Sequence, residues 1–378
     1  MRNPRSSRRP GGFQPPHCPN PRCRFHRPRP DWPFVRNGHH IRLRDHRRIQ
    51  DYRCNHCGRR FCASSFSVRY WLRKPHLLAP IAALITEGAA FRQAARVLGV
   101  SPNTVARHAA RLGRHCLLFH QSMVEDASIQ EPLVVDGFET FEWSQFFPFH
   151  VNLGVGAESC FVYHFTDSPL RRKGTMTKGQ KKRRAELESR YGRPDPKAVE
   201  NGIYSLLDFL LDRVVGSKVQ LHSDDHPAYQ RALRRIRKDR CERVRHAITS
   251  SKARRTQSNP LFPVNLADLL LRHGSANHRR ETIAFSKRRQ SAMERVAVFA
   301  VWRNYVKKRR EKESWPAQTA AMAAGILDRA LTWKQILKRR LFPHRSSLPR
   351  AWVAYYWGHV KTQVMGDQQT CHSLMYAF

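Results

Sequence analysis

The sequence predicts an α/β domain preceded by two smaller units, one built on paired cysteines and the other entirely helical. Three observations support this fold class. Two close cysteine pairs lie before residue 60, a helix–turn–helix pattern runs from Phe91 to Arg114, and strand-like apolar segments alternate with helix-like ones after residue 131. The length of 378 residues is sufficient for two or three domains.

The chain is strongly basic, with 69 Lys and Arg residues against 29 acidic ones and a formal net charge of +40. Such an excess repels itself unless a polyanion neutralises it, so we expect nucleic acid as the partner. Hydrophobic residues make up 40% of the chain, which still allows a packed core. A solvated basic surface without a partner is the alternative.

No segment approaches the roughly 20 consecutive apolar residues of a membrane span. The first 30 residues are rich in Arg and Pro and lack the apolar run of a secretory signal. We therefore expect no membrane and a cytoplasmic location, where thiols stay reduced. In that setting the nine cysteines favour metal ligation over disulfides.

Residues 1–17 are predicted to be a disordered basic tail and residues 18–70 a zinc ribbon. Structural zinc takes four ligands in a tetrahedron, and each close cysteine pair presents two thiolates from one turn. Gly58 permits a tight turn after the second pair, and Phe61 can pack beneath it. The first pair and the linker are longer than usual, so other ligands stay open. The predicted ligands are Cys18, Cys23, Cys54 and Cys57, and the alternatives are His17, His26, His56 and Cys62.

Residues 71–120 are predicted to form a helix–turn–helix DNA-binding domain. Gly99 suits the turn, Ser101 caps the second helix, and Pro102 occupies its first position. The first helix carries an apolar face formed by Phe91, Ala94, Ala95 and Leu98. The side chains expected to face a DNA major groove are Asn103, Thr104, Arg107 and His108. A helical hairpin within a core is the alternative.

Two aspartates, Asp136 and Asp224, are each predicted to lie at the end of an apolar strand. Carboxylates brought together on neighbouring strands repel each other, and a divalent metal relieves that repulsion. Magnesium ions held this way can activate water or a 3′-hydroxyl for attack on a phosphodiester. The alternative, a helix cap or a loop-amide acceptor, is preferred for Asp225.

In their order along the chain, the cysteine pairs, the helix–turn–helix and the aspartate strands resemble bacterial insertion-sequence transposases of the DDE type. The resemblance covers residues 18–310 and is most distinctive at Val134–Gly137, Asp224–Tyr229 and Arg280–Lys287. It implies a ribonuclease-H-like catalytic domain over residues 130–310 that uses Mg²⁺ or Mn²⁺. It also implies cleavage at the element's terminal inverted repeats, strand transfer into target double-stranded DNA, a homo-oligomer on DNA and association with the bacterial nucleoid.

The sequence departs from this family at the third acidic residue, where Asn265 stands in place of the usual Glu and Arg272 follows seven residues later. A carboxamide oxygen can coordinate magnesium but brings no charge, and an N-cap role is the alternative. Asn265 is the predicted third catalytic residue after Asp136 and Asp224. The fallback candidates are Glu281 and Glu294, with Asp268 weaker.

The remaining segments are less specific. Lys287, Arg288 and Arg289, together with Arg272, are expected to hold the DNA backbone, and His246 is either a phosphate or acid–base group or a surface histidine. The aromatic helix after residue 296 is expected to pack in the core. A basic insertion is predicted near 168–200, helices over 290–310 and 317–340, and a helical C-terminal region of unknown role over 311–378.

Three functions remain open at this stage. The first is a transposase, the second a catalytically inactive DNA-binding regulator derived from one, and the third a structural zinc-ribbon protein that associates with nucleic acid.

Overall fold

The computed structural model of the protein describes residues 13–43, 45–279, 282–312, 314 and 317–368. The chain divides into two compact units. Of the described residues, the cysteine unit comprises those from 13 to 75 together with 337–345, and the sheet unit comprises those from 76 to 336 together with 346–368. Residues 1–12 of the predicted tail lie outside the described residues, whereas His17 is buried within the cysteine unit. None of the helices described is long and apolar enough to cross a membrane.

The cysteine unit contains a three-stranded antiparallel sheet in the order β1-β2-β3. Its strands are β1 (Phe34–Arg42), β2 (Arg47–Cys54) and β3 (Arg60–Cys62). The short β3 pairs only with residues 51–53 of β2, so the outer part of β1 and β2 is a two-stranded ribbon. Aromatic rings of Trp32, Tyr52 and Phe61 pack with the cysteines in a small core.

The sheet unit begins with three helices, α1 (Leu78–Thr86), α2 (Phe91–Val97) and α3 (Pro102–Val124). Gly99 has a φ of +60° in the turn before α3, and the Ser101 side chain accepts a hydrogen bond from the Thr104 backbone N–H at 3.2 Å. The second half of α3 is almost wholly buried. The helix–turn–helix therefore continues directly into the core of the sheet unit.

A five-stranded mixed sheet forms the centre of this unit, in the order β6-β5-β4-β7-β8. The first three strands along the chain are antiparallel neighbours, and β7 and β8 run parallel to β4. The strands are β4 (Leu133–Phe141), β5 (Pro148–Gly156), β6 (Val162–Pro169), β7 (Val219–Asp224) and β8 (Val244–Thr249).

Helices pack around this sheet. A Cβ atom at Gly154 would lie 2.6 Å from Leu210, so glycine allows the helix Ala198–Asp212 to approach β5 closely. The predicted basic insertion contains a capped helix with no buried residue. The helices between β6 and residue 306 are α4 (Lys178–Tyr191), α5 (Ala198–Asp212), α6 (Pro227–Arg235), α7 (Lys238–Cys241), α8 (Phe262–Gly274) and α9 (Arg289–Val301), which continues as a π-helical turn over Trp302–Val306.

The C-terminal region is less helical than predicted. The prediction of one helix over 317–340 is wrong, because Gly325 turns the chain with a φ of +68° after a single short helix. Phe299 and Tyr305 are buried, which confirms that the aromatic helix packs in the core. The described helices in this region are α10 (Ala320–Ala323), α11 (Trp333–Ile336) and α12 (Arg350–Trp357).

Candidate functional site

Asp136 and Asp224 lie on the neighbouring parallel strands β4 and β7. Leu133 is opposite Leu221 in the register, and each aspartate follows three residues later on its strand. Asp224 ends β7 as predicted, but Asp136 lies inside β4 because that strand continues to Phe141 in its pairing with β5. The printed pairing ends at Val134 and His222, and each aspartate lies two residues further along its strand. The predicted strand end was wrong for Asp136.

The surroundings of Asp136 disfavour its charged form. Burial chiefly, and the charge of Asp224 in addition, raise the pKa of Asp136 to about 6. The backbone N–H of Gly137, the charge of Arg255 and the Tyr229 hydroxyl oppose the rise, and that hydroxyl donates to Asp136 Oδ1 at 3.5 Å. The environment thus disfavours a lone carboxylate here.

Asp268 on α8 is the third acid of this region. The side chain is half-buried, and its buried Oδ1 has no hydrogen-bond partner within the described part of the chain. Burial first, and then the charge of Asp136, raise its pKa well above the ordinary value. Burial and then the charges of Asp136, Asp224 and Asp268 likewise raise the pKa of Tyr229, so the tyrosine is electrostatically coupled to all three acids.

A cavity of about 830 Å³ opens beside Asp136 and Asp268, whereas Asp224 does not line it. Asp136 and Asp268 line it together with Asn265, one helical turn before Asp268 on α8. Its basic lining consists of Arg255, Arg272, His273 and Arg279. Carboxyl groups and cationic side chains that line one cavity are suited to a metal ion and a phosphate together.

Arg272, a predicted DNA contact, lines this cavity and is held in place by the protein. It donates to the carbonyl oxygens of Glu139 at 3.2 Å and His278 at 3.4 Å, and its guanidinium lies 4.6 Å from the Phe138 ring centre. Sequence reasoning missed Arg255, because one exposed arginine in so basic a chain carries no distinguishing pattern.

The fallback acids differ in their positions. Glu281 lies outside the described residues. Glu294 does not line the cavity and is instead buried between α9 and α3, 3.1 Å from Gln290 Nε2 and 3.8 Å from Arg114 Nη1. Asp225 accepts a hydrogen bond from the Ser251 backbone N–H at 3.3 Å, which confirms its interpretation as a loop-amide acceptor.

His246 lies on β8 and is half-buried. Its Nε2 is 2.8 Å from the Ser223 hydroxyl on β7, and burial lowers its pKa. His246 therefore contacts Ser223, the residue before Asp224 on β7, and it does not line the cavity.

The start of α3 presents part of the predicted DNA-reading face. Asn103 and Arg107 are exposed, and Thr104 is half-buried. The prediction that His108 faces outward is wrong: it is buried, and its ring Nδ1 donates to the Thr104 carbonyl oxygen at 2.8 Å. Positions 105 and 109 are also buried, so His108 falls on the inward face of the helix.

The basic residues before α9 have different surroundings. Lys287 is exposed, with its Nζ 3.6 Å from the Phe285 ring centre, and Arg288 is half-buried at the start of the helix. Arg289 is paired with Asp167 at 3.0 Å and with Glu142 at 3.8 Å. Arg289 is therefore part of a buried ion-pair network, contrary to its predicted role as a backbone contact.

The two cysteine pairs converge in the cysteine unit. Ligand atoms of Cys18, Cys23, Cys54 and Cys57 all lie within 4.8 Å of one another. Across the described residues, no other set of three or more His, Cys, Asp or Glu side chains meets that distance, the three aspartates included. Trp32 Nε1 donates to Cys54 Sγ at 3.3 Å. This four-cysteine cluster could bind a structural zinc ion.

The electrostatics of the cluster fit a cation. Burial raises the thiol pKa of Cys18 and Cys23. Burial also opposes ionisation of Cys54, but the Trp32 N–H and backbone amides outweigh it and lower its pKa to about 7. A compact buried set of four sulfurs is therefore costly without a metal, which would hold all four as thiolates.

The alternative ligands lie outside the cluster. His17 and His26 each place Nδ1 2.9 Å from the Cys18 carbonyl oxygen, and Cys62 Sγ lies 2.9 Å from the Ser64 hydroxyl. His56 Nδ1 is 3.5 Å from Cys23 Sγ, beside the four sulfurs. These contacts orient the loops around the cysteines.

Comparisons with known proteins give little further information. No family model matches the chain, and no curated protein matches it. A chain in the cryo-EM structure of the simian T-cell lymphotropic virus intasome in complex with PP2A regulatory subunit B56 gamma is similar at 13% identity and a TM-score of 0.23. The match covers 52% of this chain and 56% of that chain, so it spans little more than half the length of either.

Proposed function

We propose that the protein is a DDE-type DNA transposase, which cuts DNA at the ends of its own element and joins those ends to target DNA. The observation that carries the proposal is the placement of Asp136 and Asp224 on adjacent parallel strands, with the half-buried acid Asp268 electrostatically coupled to Asp136 beside a cavity lined by arginines. Three acids gathered from two strands and a helix are suited to divalent-metal phosphoryl transfer.

The fold supports this proposal. Three antiparallel strands are followed by two that run parallel to the first, in the spatial order β6-β5-β4-β7-β8. This arrangement agrees with the ribonuclease-H-like domain that the sequence resemblance implies, and it brings the first and fourth strands of that domain together. The two aspartates lie on those two strands.

The carboxyl groups of Asp136 and Asp268 are suited to binding a divalent cation. An unpartnered buried carboxylate oxygen on Asp268 and a raised pKa at Asp136 both indicate negative charge that lacks a counter-ion. A bound Mg²⁺ or Mn²⁺ would supply Lewis-acid stabilisation of the reacting phosphate. Tyr229 would orient Asp136, and Arg255 and Arg272 would face the phosphate from the cavity wall.

We propose Asp268 as the third metal ligand in place of Asn265. Both line the cavity, but Asp268 supplies the charge that the amide lacks and is electrostatically coupled to Asp136. Asn265 is left to position the start of α8 or to contact DNA.

The remaining proposals follow from charge and exposure. The net charge of +40 and the exposed residues Asn103 and Arg107 at the start of α3 support binding of duplex DNA. Lys287 and Arg288 are proposed to contact the DNA backbone near the catalytic cavity. We also propose a homo-oligomer on DNA, with the element's terminal inverted repeats as the specific ligand.

A nicking assay tests the catalytic proposal. Supercoiled plasmid carrying the sequences that flank the gene is incubated with purified full-length protein and Mn²⁺ or Mg²⁺. Nicking is expected with the wild type and is expected to be lost in Asp136→Asn, Asp224→Asn and Asp268→Asn. Asp225→Asn is the matched control, since Asp225 is exposed and bonds only the Ser251 loop in the described contacts. Unchanged nicking in Asp136→Asn and Asp224→Asn would refute the active site.

A catalytically inactive DNA-binding regulator is the second candidate function. One observation favours it: the three aspartates do not form a group whose ligand atoms all lie within 4.8 Å. Specific binding of the flanking sequences without nicking in Mn²⁺ or Mg²⁺ would establish this alternative.

A further inference from the structure

The outer half of the β1–β2 ribbon extends beyond the core of the cysteine unit. We call residues 39–43 and 45–50 the ribbon arm. Its strands pair from His39 opposite Gln50 to Arg42 opposite Arg47, whereas β3 reaches only to residue 51 of β2. Most side chains of the arm are exposed on both faces. The arm is therefore a two-stranded ribbon without a core of its own.

An isolated two-stranded hairpin is at best marginally stable in water. Local polar contacts fix the shape of this one: Arg42 Nε donates to Asp45 Oδ1 at 2.8 Å, and His40 Nδ1 lies 2.9 Å from Asp51. At the base of the arm, the strand forms a bulge in which Gly38 has a φ of +70°. The Gly38 carbonyl oxygen accepts a hydrogen bond from Gln50 Nε2 at 2.6 Å. The chain thus maintains a ribbon in which no side chain is fully buried among the described residues 39–43 and 45–50.

Two apolar side chains are exposed near the tip of the arm. Leu43 is 89% exposed and Ile41 is 57% exposed, although Arg42 lies between them and the rest of the tip is polar. Exposed side chains of this size gain free energy when a partner covers them. The partner must therefore offer apolar contact and also tolerate the surrounding positive charge.

That surrounding charge identifies the partner's chemistry. Residues 36–53 contain six arginines, three histidines and only two aspartates. Residues directly opposite each other in an antiparallel pair share a face, so Arg42 and Arg47 lie on one face of the arm and Arg48 lies with Ile41 on the other. Cations on both faces and apolar groups at the tip match a groove with a phosphate wall on each side and base edges at its floor.

We propose that the ribbon arm enters the major groove of duplex DNA, with Arg47 and Arg48 facing the two phosphate walls and Ile41 and Leu43 against base edges. The major groove is about 12 Å wide and admits a two-stranded ribbon, and the thymine methyl group at its floor is apolar. The inference rests on the proposed function, because that function supplies DNA as the partner. The ribbon arm would then be a second element that contacts DNA bases, in addition to α3.

The test uses full-length, zinc-loaded protein and a duplex probe chosen without knowledge of the element. Wild-type protein selects its preferred sequence from a random 30-base-pair duplex library, and fluorescence anisotropy then measures the Kd for that selected duplex. The double variant Ile41→Ser/Leu43→Ser is expected to bind about tenfold more weakly, the scale of a lost base contact. Zinc content and thermal unfolding are expected to stay unchanged, because both side chains are exposed.

Two controls separate the arm from general effects. Val215→Ser removes another exposed apolar side chain, 51% exposed in the sheet unit, and is expected to leave the Kd unchanged. The selection is repeated with the double variant, which is expected to lose its preference for the bases that the arm contacts. Methylation of guanine N7, in the major groove, is expected to interfere with wild-type binding at those bases. Interference there only from methylation of adenine N3, in the minor groove, would overturn the groove assignment.

The outcomes distinguish this inference from the proposed function. If Arg107→Ala weakens binding while the double variant selects the same sequence with the same Kd, the arm inference is wrong and DNA binding through α3 stands. If the double variant changes only self-association, the arm contacts a second copy and the inference is again wrong. If the wild type binds no duplex, both proposals fail.

Discussion

Asp136 and Asp224 occupy matching positions on the adjacent parallel strands β4 and β7, three residues beyond the opposed pair Leu133 and Leu221. The cost of this arrangement is visible at Asp136, whose pKa burial and the neighbouring charge raise to about 6. Ionisation of Asp136 therefore lowers the free energy of unfolding, and the first prediction measures that effect.

We predict that Asp136→Asn stabilises the metal-free protein at neutral pH. The folded-state pKa of about 6 exceeds the ordinary aspartate pKa of 3.8, so ionisation destabilises the fold. The penalty is absent below pH 3.8, grows as the pH rises to about 6 and is complete above it. The shift corresponds to about 3 kcal/mol as an upper value.

Urea unfolding in EDTA at pH 4, 6 and 8 measures this effect, provided that zinc retention in the cysteine unit is checked at each pH. The gain in unfolding free energy should appear only at the two higher values. Asp225→Asn is the control and should show no such gain. An equal stability of wild type and Asp136→Asn at pH 8 would contradict the assigned environment of Asp136.

The second prediction concerns the identity of the third metal ligand. Asp268→Asn is expected to reduce Mn²⁺-dependent nicking by on the order of 100-fold or more, whereas Asn265→Ala is expected to reduce it by only a few-fold. Single-turnover nicking rates at saturating Mn²⁺ compare the two variants. A larger loss of nicking in Asn265→Ala than in Asp268→Asn would identify Asn265 as the third metal ligand, as the sequence predicts.

The third prediction concerns the cysteine cluster. Cys54→Ser is expected to lower the bound zinc and the melting temperature of the cysteine unit, because zinc binding energy contributes directly to folding. Cys62→Ser is the matched control, since its sulfur contacts Ser64 outside the four-cysteine set. Metal analysis of purified protein gives the result, and equal zinc content in the two variants would rule out the four-cysteine site.

The fourth prediction concerns the crossing of α3 and α9. A Cβ atom at Gly113 would lie 2.6 Å from the Glu294 Cβ and 2.8 Å from its backbone, so Gly113→Ala is expected to lower the unfolding free energy by about 1–3 kcal/mol. Gly179→Ala is the control, because a Cβ there meets nothing within 4 Å and alanine favours the helix. Chemical denaturation compares them, and a neutral Gly113→Ala would show that the helices do not cross so closely.

The fifth prediction separates a DNA contact from a core residue on the same helix. Arg107→Ala is expected to weaken duplex binding and to reduce the slope of log Kd against log salt by about one, without a change in unfolding. His108→Ala is expected to destabilise the fold, because its ring is buried and bonded to Thr104. Salt titrations and denaturation curves distinguish them. A stable His108→Ala with a reduced salt slope would reverse the assignment.

The sequence was informative wherever one element carries its own signal. Close cysteine pairs, the Gly99 turn with the Ser101 cap, and apolar strands that lead to aspartates each depend on local spacing, and the structure contains those turns and strands. His108 also had a local signal that was misjudged, because its spacing from Val105 and Leu112 already placed it on the inward face.

Tertiary context decided the rest. Asp268 is half-buried next to the buried Ala267 on α8, and only the folded sheet shows that this acid is coupled to Asp136. The continuation of β4 past Asp136 depends on its pairing with β5, a partner that no local pattern specifies. The closeness of α3 to α9 likewise depends on Gly113 meeting Glu294, far apart in sequence.

Crystals of the protein soaked in Mn²⁺ test the central claim most directly, through anomalous diffraction at the manganese edge. We predict an anomalous peak from a manganese ion bonded to carboxylate oxygens of both Asp136 and Asp224, with an oxygen of Asp268 as a further ligand or bonded through water. Manganese bound elsewhere, with the Asp136 and Asp224 side chains turned away from each other, would contradict it.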